Sequence, residues 1–138
     1  MSKNSISFFF EDVKFKIDKA RIIPWIEATV KAENKKLNSI NYIFGSDKFL
    51  HGINVQALNH DTLTDVITFN YGEKDIEGEV YISLDRVLDN AKIFNKEPYN
   101  ELLRVIIHGV LHLCGYNDKS EREEKIMRQK EDFYLARY

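Results

Sequence analysis

From Leu102 to Cys114 the chain runs apolar except for Arg104 and two histidines, all on one side. Leu102, Leu103, Ile106, Ile107, Val110 and Leu111 fall on most sides of a helix. A helix apolar nearly all round has to lie inside the protein, so the rest of the chain must wrap it. His108 and His112 are four residues apart and share one helical face. Pro98 suits the first turn of this helix, and Gly115 suits its end, where a left-handed residue turns the chain back. That reversal predicts that Asp118 comes round as a third ligand. Two imidazoles, a carboxylate and an open position are what a catalytic zinc site needs, whereas a structural site closes with a fourth protein ligand.

A lone buried histidine is ordinarily a core group satisfied by a carbonyl. Two at this spacing must find partners for both rings where few exist, and a shared metal satisfies both at once. The spacing H-x3-H-x2-G-x2-D matches the ligand frame of metzincins, with aspartate in place of their last histidine. Zincins carry glutamate directly after the first histidine as general base. Gly109 stands there, so the ligand frame is present and the peptidase base is missing. Cys114 reads as a small core residue at the helix end. His51 reads as a surface residue on a helix. His60 and Asp61 open a polar cluster running to Asp65, which is either a turn bonding its own backbone or a cleft wall facing the metal helix.

The 138 residues, 43% hydrophobic and 30% charged, fit one soluble domain over residues 1–138. A net charge of −2 gives no global positive field, so RNA contact would need a local patch. Lys14, Lys16, Lys19 and Arg21 are one candidate, Lys31, Lys35 and Lys36 another, with Arg86 and Lys92 a third. For each, ordinary solvated surface is the slightly favoured reading. One cysteine excludes an intrachain disulfide framework and fits a reducing compartment. Glu11 and Asp12 cut the Phe8–Phe10 run short of a signal peptide, and no stretch reaches membrane-span length. A cytoplasmic protein is expected.

Alternation predicts strands at 6–10, 39–44, 65–69 and 79–82, the last two as an antiparallel hairpin. Helices are predicted at about 19–34, 47–58, 84–95, 98–114 and from Ser120-Glu-Arg-Glu123, a capping box. Pro24 is expected in a first turn. Phe49, Leu50, Ile53 and Leu58 should form the buried side of the second helix. The expected class is α+β: about four strands in a mixed sheet packed with about five helices, the metal site on a buried central helix.

The stretch His108-Gly-Val-Leu-His112-Leu-Cys-Gly115-Tyr116-Asn117-Asp118 resembles the signature of the YbeY family, H-G-x-L-H-L-x-G-Y-D-H. Ile53-Asn54 followed by Asp61-Thr-Leu-Thr64-Asp65-Val-Ile-Thr-Phe69 is similar to that family's L-N…D-x-x-T-D-V-L-S-F. Gly78-Glu-Val-Tyr-Ile-Ser83 is similar to its G-D-I-x-I-S. The resemblance implies one zinc per chain, held by His108, His112 and Asp118. It implies an endoribonuclease acting in 16S ribosomal RNA 3′-end maturation and ribosome quality control, with ribosomal RNA and the small subunit as partners. His60 and Asp61 are the catalytic candidates. Two positions depart from the pattern: Asp118 replaces the third histidine, and Leu58 replaces an arginine taken to help cleavage. Aspartate can ligate zinc, but leucine cannot hold a phosphate. An RNA-binding factor with a mainly structural zinc, or a metallohydrolase on another substrate, are the competing expectations.

Overall fold

Strands and helices alternate up to residue 58, and a pair of strands and then three helices follow. The computed structural model describes residues 5–58 and 64–138, with backbone alone at 57 and 58. The elements are β1 (Ile6–Phe10), α1 (Lys19–Ala32), β2 (Leu37–Gly45), α2 (Asp47–Leu58), β3 (Val66–Asn70), β4 (Ile76–Ser83), α3 (Leu84–Ile93), α4 (Pro98–Leu113) and α5 (Glu121–Leu135). The sheet order is β1-β2-β4-β3. β1 and β4 each run parallel to β2, and β3 runs antiparallel to β4. The chain is therefore α+β with a mixed four-stranded sheet, as its patterning predicts. Among the described residues, no helix is long and apolar enough to cross a membrane.

Pairing places Ile40, Tyr42 and Phe44 of β2 beside Gly78, Val80 and Ile82 of β4. These residues share one face of the sheet. Phe8 stacks on Tyr42 and Phe10 on Phe44, at 5.4 and 4.8 Å between ring centres. α4 covers this face, and the Tyr42 hydroxyl donates to the Ile106 carbonyl at 3.2 Å. Tyr81 points to the opposite face, where Phe49 of α2 meets it.

Two glycines set how closely α4 approaches. A Cβ at Gly109 would stand 2.8 Å from Val80 Cγ1. One at Gly78 would meet the Phe69 carbonyl at 2.5 Å and Leu113 at 2.6 Å.

Three local expectations are corrected. Pro24 sits in the second turn of α1, because the Asp18 carbonyl already accepts from Arg21 and Ile22 and starts the helix earlier. β4 begins at Ile76 rather than Glu79, because Ile76 N–H donates to the Lys36 carbonyl beside the parallel neighbour β2. In α2, Asn54 is buried with Leu50, while Phe49 and Ile53 are half-buried. Ser46 and Ser83 cap α2 and α3. Arg86 bonds Asp47 at 3.0 Å and ties the two helix starts together.

Gly109→Ala should lower the urea-unfolding free energy by about 1–2 kcal/mol, because overpacking outweighs the helix-propensity gain of roughly 1 kcal/mol. Adding Val80→Ala should recover part of the loss. A higher urea midpoint for Gly109→Ala would contradict the close approach.

Candidate metal centre

Arg104, His108 and His112 recur every fourth residue and form the one polar stripe of α4. The helix ends at Cys114, and Gly115 takes φ 110°. Gly115 N–H donates to the His112 carbonyl and Tyr116 N–H to the Leu111 carbonyl, both at 3.0 Å. This pair of bonds closes a helix and reverses the chain. The reversal delivers Asp118 Oδ2 to 3.3 Å from His108 Nε2 and 3.4 Å from His112 Nε2. Donors bound tetrahedrally at zinc distances stand roughly 3.3–3.4 Å apart, so Asp118 already keeps that spacing to both rings, and all three residues offer a donor atom within 4.8 Å of the others. Among the described residues, this is the one group of such side chains that could hold a metal ion.

His108 is aimed from behind. Its Nδ1 donates to Glu131 Oε2 at 2.6 Å, and Glu131 is 5% exposed. Arg104 donates to Glu131 Oε1 at 2.7 Å and to Asp132 at 2.8 Å. With its proton on Nδ1, the ring turns the Nε2 lone pair toward Asp118. Burial disfavours the charged His108 ring, but the bond to Glu131 and its charge, aided by Asp118 and Asp65, raise its pKa overall. Burial and the neighbouring His108 hold His112 below its ordinary value.

The Asp118 loop is held from the other end of the chain. Glu33, just past α1, accepts from the Tyr116 hydroxyl at 2.6 Å, from the Tyr134 hydroxyl, and from Lys130 at 3.2 Å. Burial pushes the Glu33 carboxyl up, yet these three donors outweigh it and hold it below the usual glutamate value.

The centre opens on a cleft of about 1060 Å³. Val66, Thr68 and Asn70 of edge strand β3 form one wall, the polar stripe of α4 another, with Arg128 of α5 and Phe94 beyond α3 at the sides. Thr68 Oγ1 is buried and has no partner among the described residues. Burial raises the Asp65 carboxyl, partly offset by His108.

His108, His112 and Asp118 are thus brought together. Asn117 lines the cleft outside the donor group. Cys114 also stands outside it, and burial pushes its thiol up to about 11, which disfavours the thiolate. Gly109 faces Val80 rather than the cleft, so that position could not supply a zincin-type base. His60, Asp61 and the Leu58 side chain lie outside the described residues. The basic runs at 14–21 and 31–36 do not line the cleft, and Arg86 is committed to Asp47. The lining cations are Lys96, Arg104 and Arg128. Sequence reasoning missed these last three and also Glu131 and Glu33. One signal was available: Glu131 falls on the Met127–Tyr134 buried side of α5, a charged residue on an apolar face.

His112→Ala should abolish stoichiometric zinc binding, and Glu131→Ala should weaken it roughly 10–100-fold. Competition against a chromophoric chelator measures both, and equal affinity in wild type and His112→Ala would refute the donor assignment. Glu33→Gln should cost about 1–3 kcal/mol at neutral pH. The Glu33 contribution is present above the unfolded value of about 4.3 and lost as pH falls through the lower folded value. Urea midpoints of wild type and Glu33→Gln should therefore converge in acid.

The model of the family described as Endoribonuclease YbeY matches residues 7–138. A protein of Amoebophilus asiaticus named Endoribonuclease YbeY is 51% identical, the alignment covering 98% of this chain and 94% of the relative. One of the same name from Flavobacterium johnsoniae is 46% identical, covering 96% of each. The solution structure of a Thermotoga maritima protein superposes with a TM-score of 0.70 at 33% identity, covering 94% of this chain and 86% of the other. With the family model spanning nearly the whole chain and the glycine-turned His-His-Asp centre lying inside it, the chain belongs to the YbeY endoribonuclease family.

Proposed function

We propose that the chain is a zinc-dependent endoribonuclease that cuts unpaired RNA, within one domain spanning residues 1–138. The observation that carries this reading is the meeting of His108, His112 and Asp118, whose donor atoms lie within 4.8 Å of one another, on an open cleft. The family name supports RNA as the substrate class. The ordered likeness of the three sequence blocks supports a cytoplasmic role in 16S ribosomal RNA 3′-end maturation and ribosome quality control, at the small subunit.

His108, His112 and Asp118 would hold the ion. When bound, zinc supplies Lewis acidity for the attack of water and for the charge that builds on a phosphoryl oxygen. The chain's own residues do the rest. Glu131 keeps the His108 proton on Nδ1 and fixes the ring. Glu33 and its three donors fix the loop that carries Asp118. Arg128 is a cleft-lining guanidinium positioned to approach a phosphate. His60 and Asp61 remain the acid–base candidates; Thr64 and Asp65, next along the chain, line the cleft. The open side of the centre favours catalysis over a purely structural zinc.

Zinc-loaded protein should cut ribosomal RNA in its unpaired regions, and chelation should abolish the activity. Asp118→Ala should lower the rate at least 100-fold, the scale for losing a group that acts in the transition state. Cleavage undiminished in chelated Asp118→Ala would overturn the reading. Binding without cleavage in the wild type would favour an RNA-binding factor.

A further inference from the structure

Phe94 lies on the cleft without serving the core. It follows the last residue of α3, and 62% of it is exposed although it lines the cleft. Among the described lining residues it is the only ring besides the imidazoles of His108 and His112, which belong to the metal centre. Fully burying a phenylalanine is worth about 1.5–3 kcal/mol, and at 62% exposure Phe94 forgoes most of that, so core packing gives little reason for a ring here.

Its backbone is nonetheless fixed. Phe94 N–H donates to the Asn90 carbonyl at 2.9 Å. Asn95 N–H reaches Lys92 at 3.2 Å and Lys96 N–H reaches Ala91 at 2.8 Å, with Asn95 in the left-handed region at φ 54°. These are the bonds that also close α4. A ring carried on a closed helix end has a fixed origin, so less ordering is needed when a partner arrives. Lys96 comes next and also lines the cleft.

Charge narrows the choice of partner contact. The described lining residues include five carboxylates, at Asp65, Glu101, Asp118, Glu131 and Asp132, against three cations. A divalent ion would bring that balance only to neutrality. Attraction to phosphate is therefore a poor source of affinity here. Stacking of a base on an aromatic face is independent of net charge and tolerant of sequence.

We propose that Phe94 is a stacking platform for an unpaired RNA base, with Lys96 taking the adjoining phosphate. The inference rests on the RNA-cleaving reading and deepens it by naming the contact that selects unpaired RNA. In a duplex each base face is covered by its neighbours, so a ring on the wall of a cleft finds none free. Ile93, 71% exposed but not lining the cleft, makes a protein partner at this corner the outcome to be distinguished.

The test uses the full zinc-loaded chain with a short unpaired RNA oligomer, and with the same oligomer paired to its complement. Phe94→Ala should raise KM on the unpaired RNA roughly tenfold or more, and raise it more than it lowers kcat. Zinc content should not change. Phe94→Tyr and Phe94→Trp should restore the wild-type KM, and the Phe94→Trp emission should change when unpaired RNA, not duplex, saturates the protein. A KM for Phe94→Ala within twofold of wild type overturns the platform. An indole emission blind to RNA overturns it too, whether or not the alanine variant folds. A raised KM that tracks loss of self-association in sedimentation assigns the corner to a protein contact instead. If wild type neither binds nor cuts RNA, the underlying reading fails as well; if it does both and Phe94→Ala matches it, only the platform fails.

Discussion

The height at which α4 rests on the sheet governs everything built around it. Gly109 over Val80, and Gly78 under Leu113, let the backbone of one layer rest directly on the side chains of the other. At that height two periodicities meet. The helix presents a polar residue every fourth position, and edge strand β3 presents Thr68 and Asn70 at every second one. Where the two polar series face each other, apolar packing stops and the cleft begins. A Cβ at either glycine would lift the helix and change the spacing on which the His-His-Asp geometry relies.

The same helix carries a polar debt that its neighbours settle. His108, Glu131, Arg104 and Asp132 form one chain of bonds from α4 to α5. Each charged member has an opposite or donating partner, which is the condition under which charge is tolerated away from water. Asp118 adds a feature that a third imidazole would not: the donor set itself is anionic. A bound divalent ion would then carry less residual charge toward a substrate, and a water beside it would be less acidic. Selection by base stacking suits such a centre better than selection by phosphate attraction alone.

The elements that repeat a period within a few residues were legible from the chain. The apolar surround of α4, the alternation of β2 and the Ser120–Glu123 box all fall in that class. So did the meeting of His108, His112 and Asp118, because Gly115 is local to all three. What the chain hid was reciprocal. Glu131 bonds His108 across 23 residues and Glu33 bonds Tyr116 across 83, and no local pattern says which helix faces will meet. The basic runs at 14–21 and 31–36 stay off the cleft, as their reading as solvated surface has it, because clustering along the chain is not clustering at the site. The cations that line the cleft are single residues from three separate stretches. Pro24 was misplaced because a helix start is decided by which carbonyl accepts first, and Asp18 accepts one turn earlier than the proline suggests.

Glu33 has a further consequence for how the centre is held together. The groups that converge on it come from helices far apart in sequence: Glu33 follows α1, while Lys130 and Tyr134 belong to α5. A chain lacking its final ten residues would own both imidazoles and the aspartate, but neither Glu131 to orient the first ring nor Tyr134 to anchor the loop. The His108 ring would then lose its steering and the carboxylate its tether. α5 thus acts as a clasp: it supplies no donor, yet it decides whether the three donors stay aimed at one point.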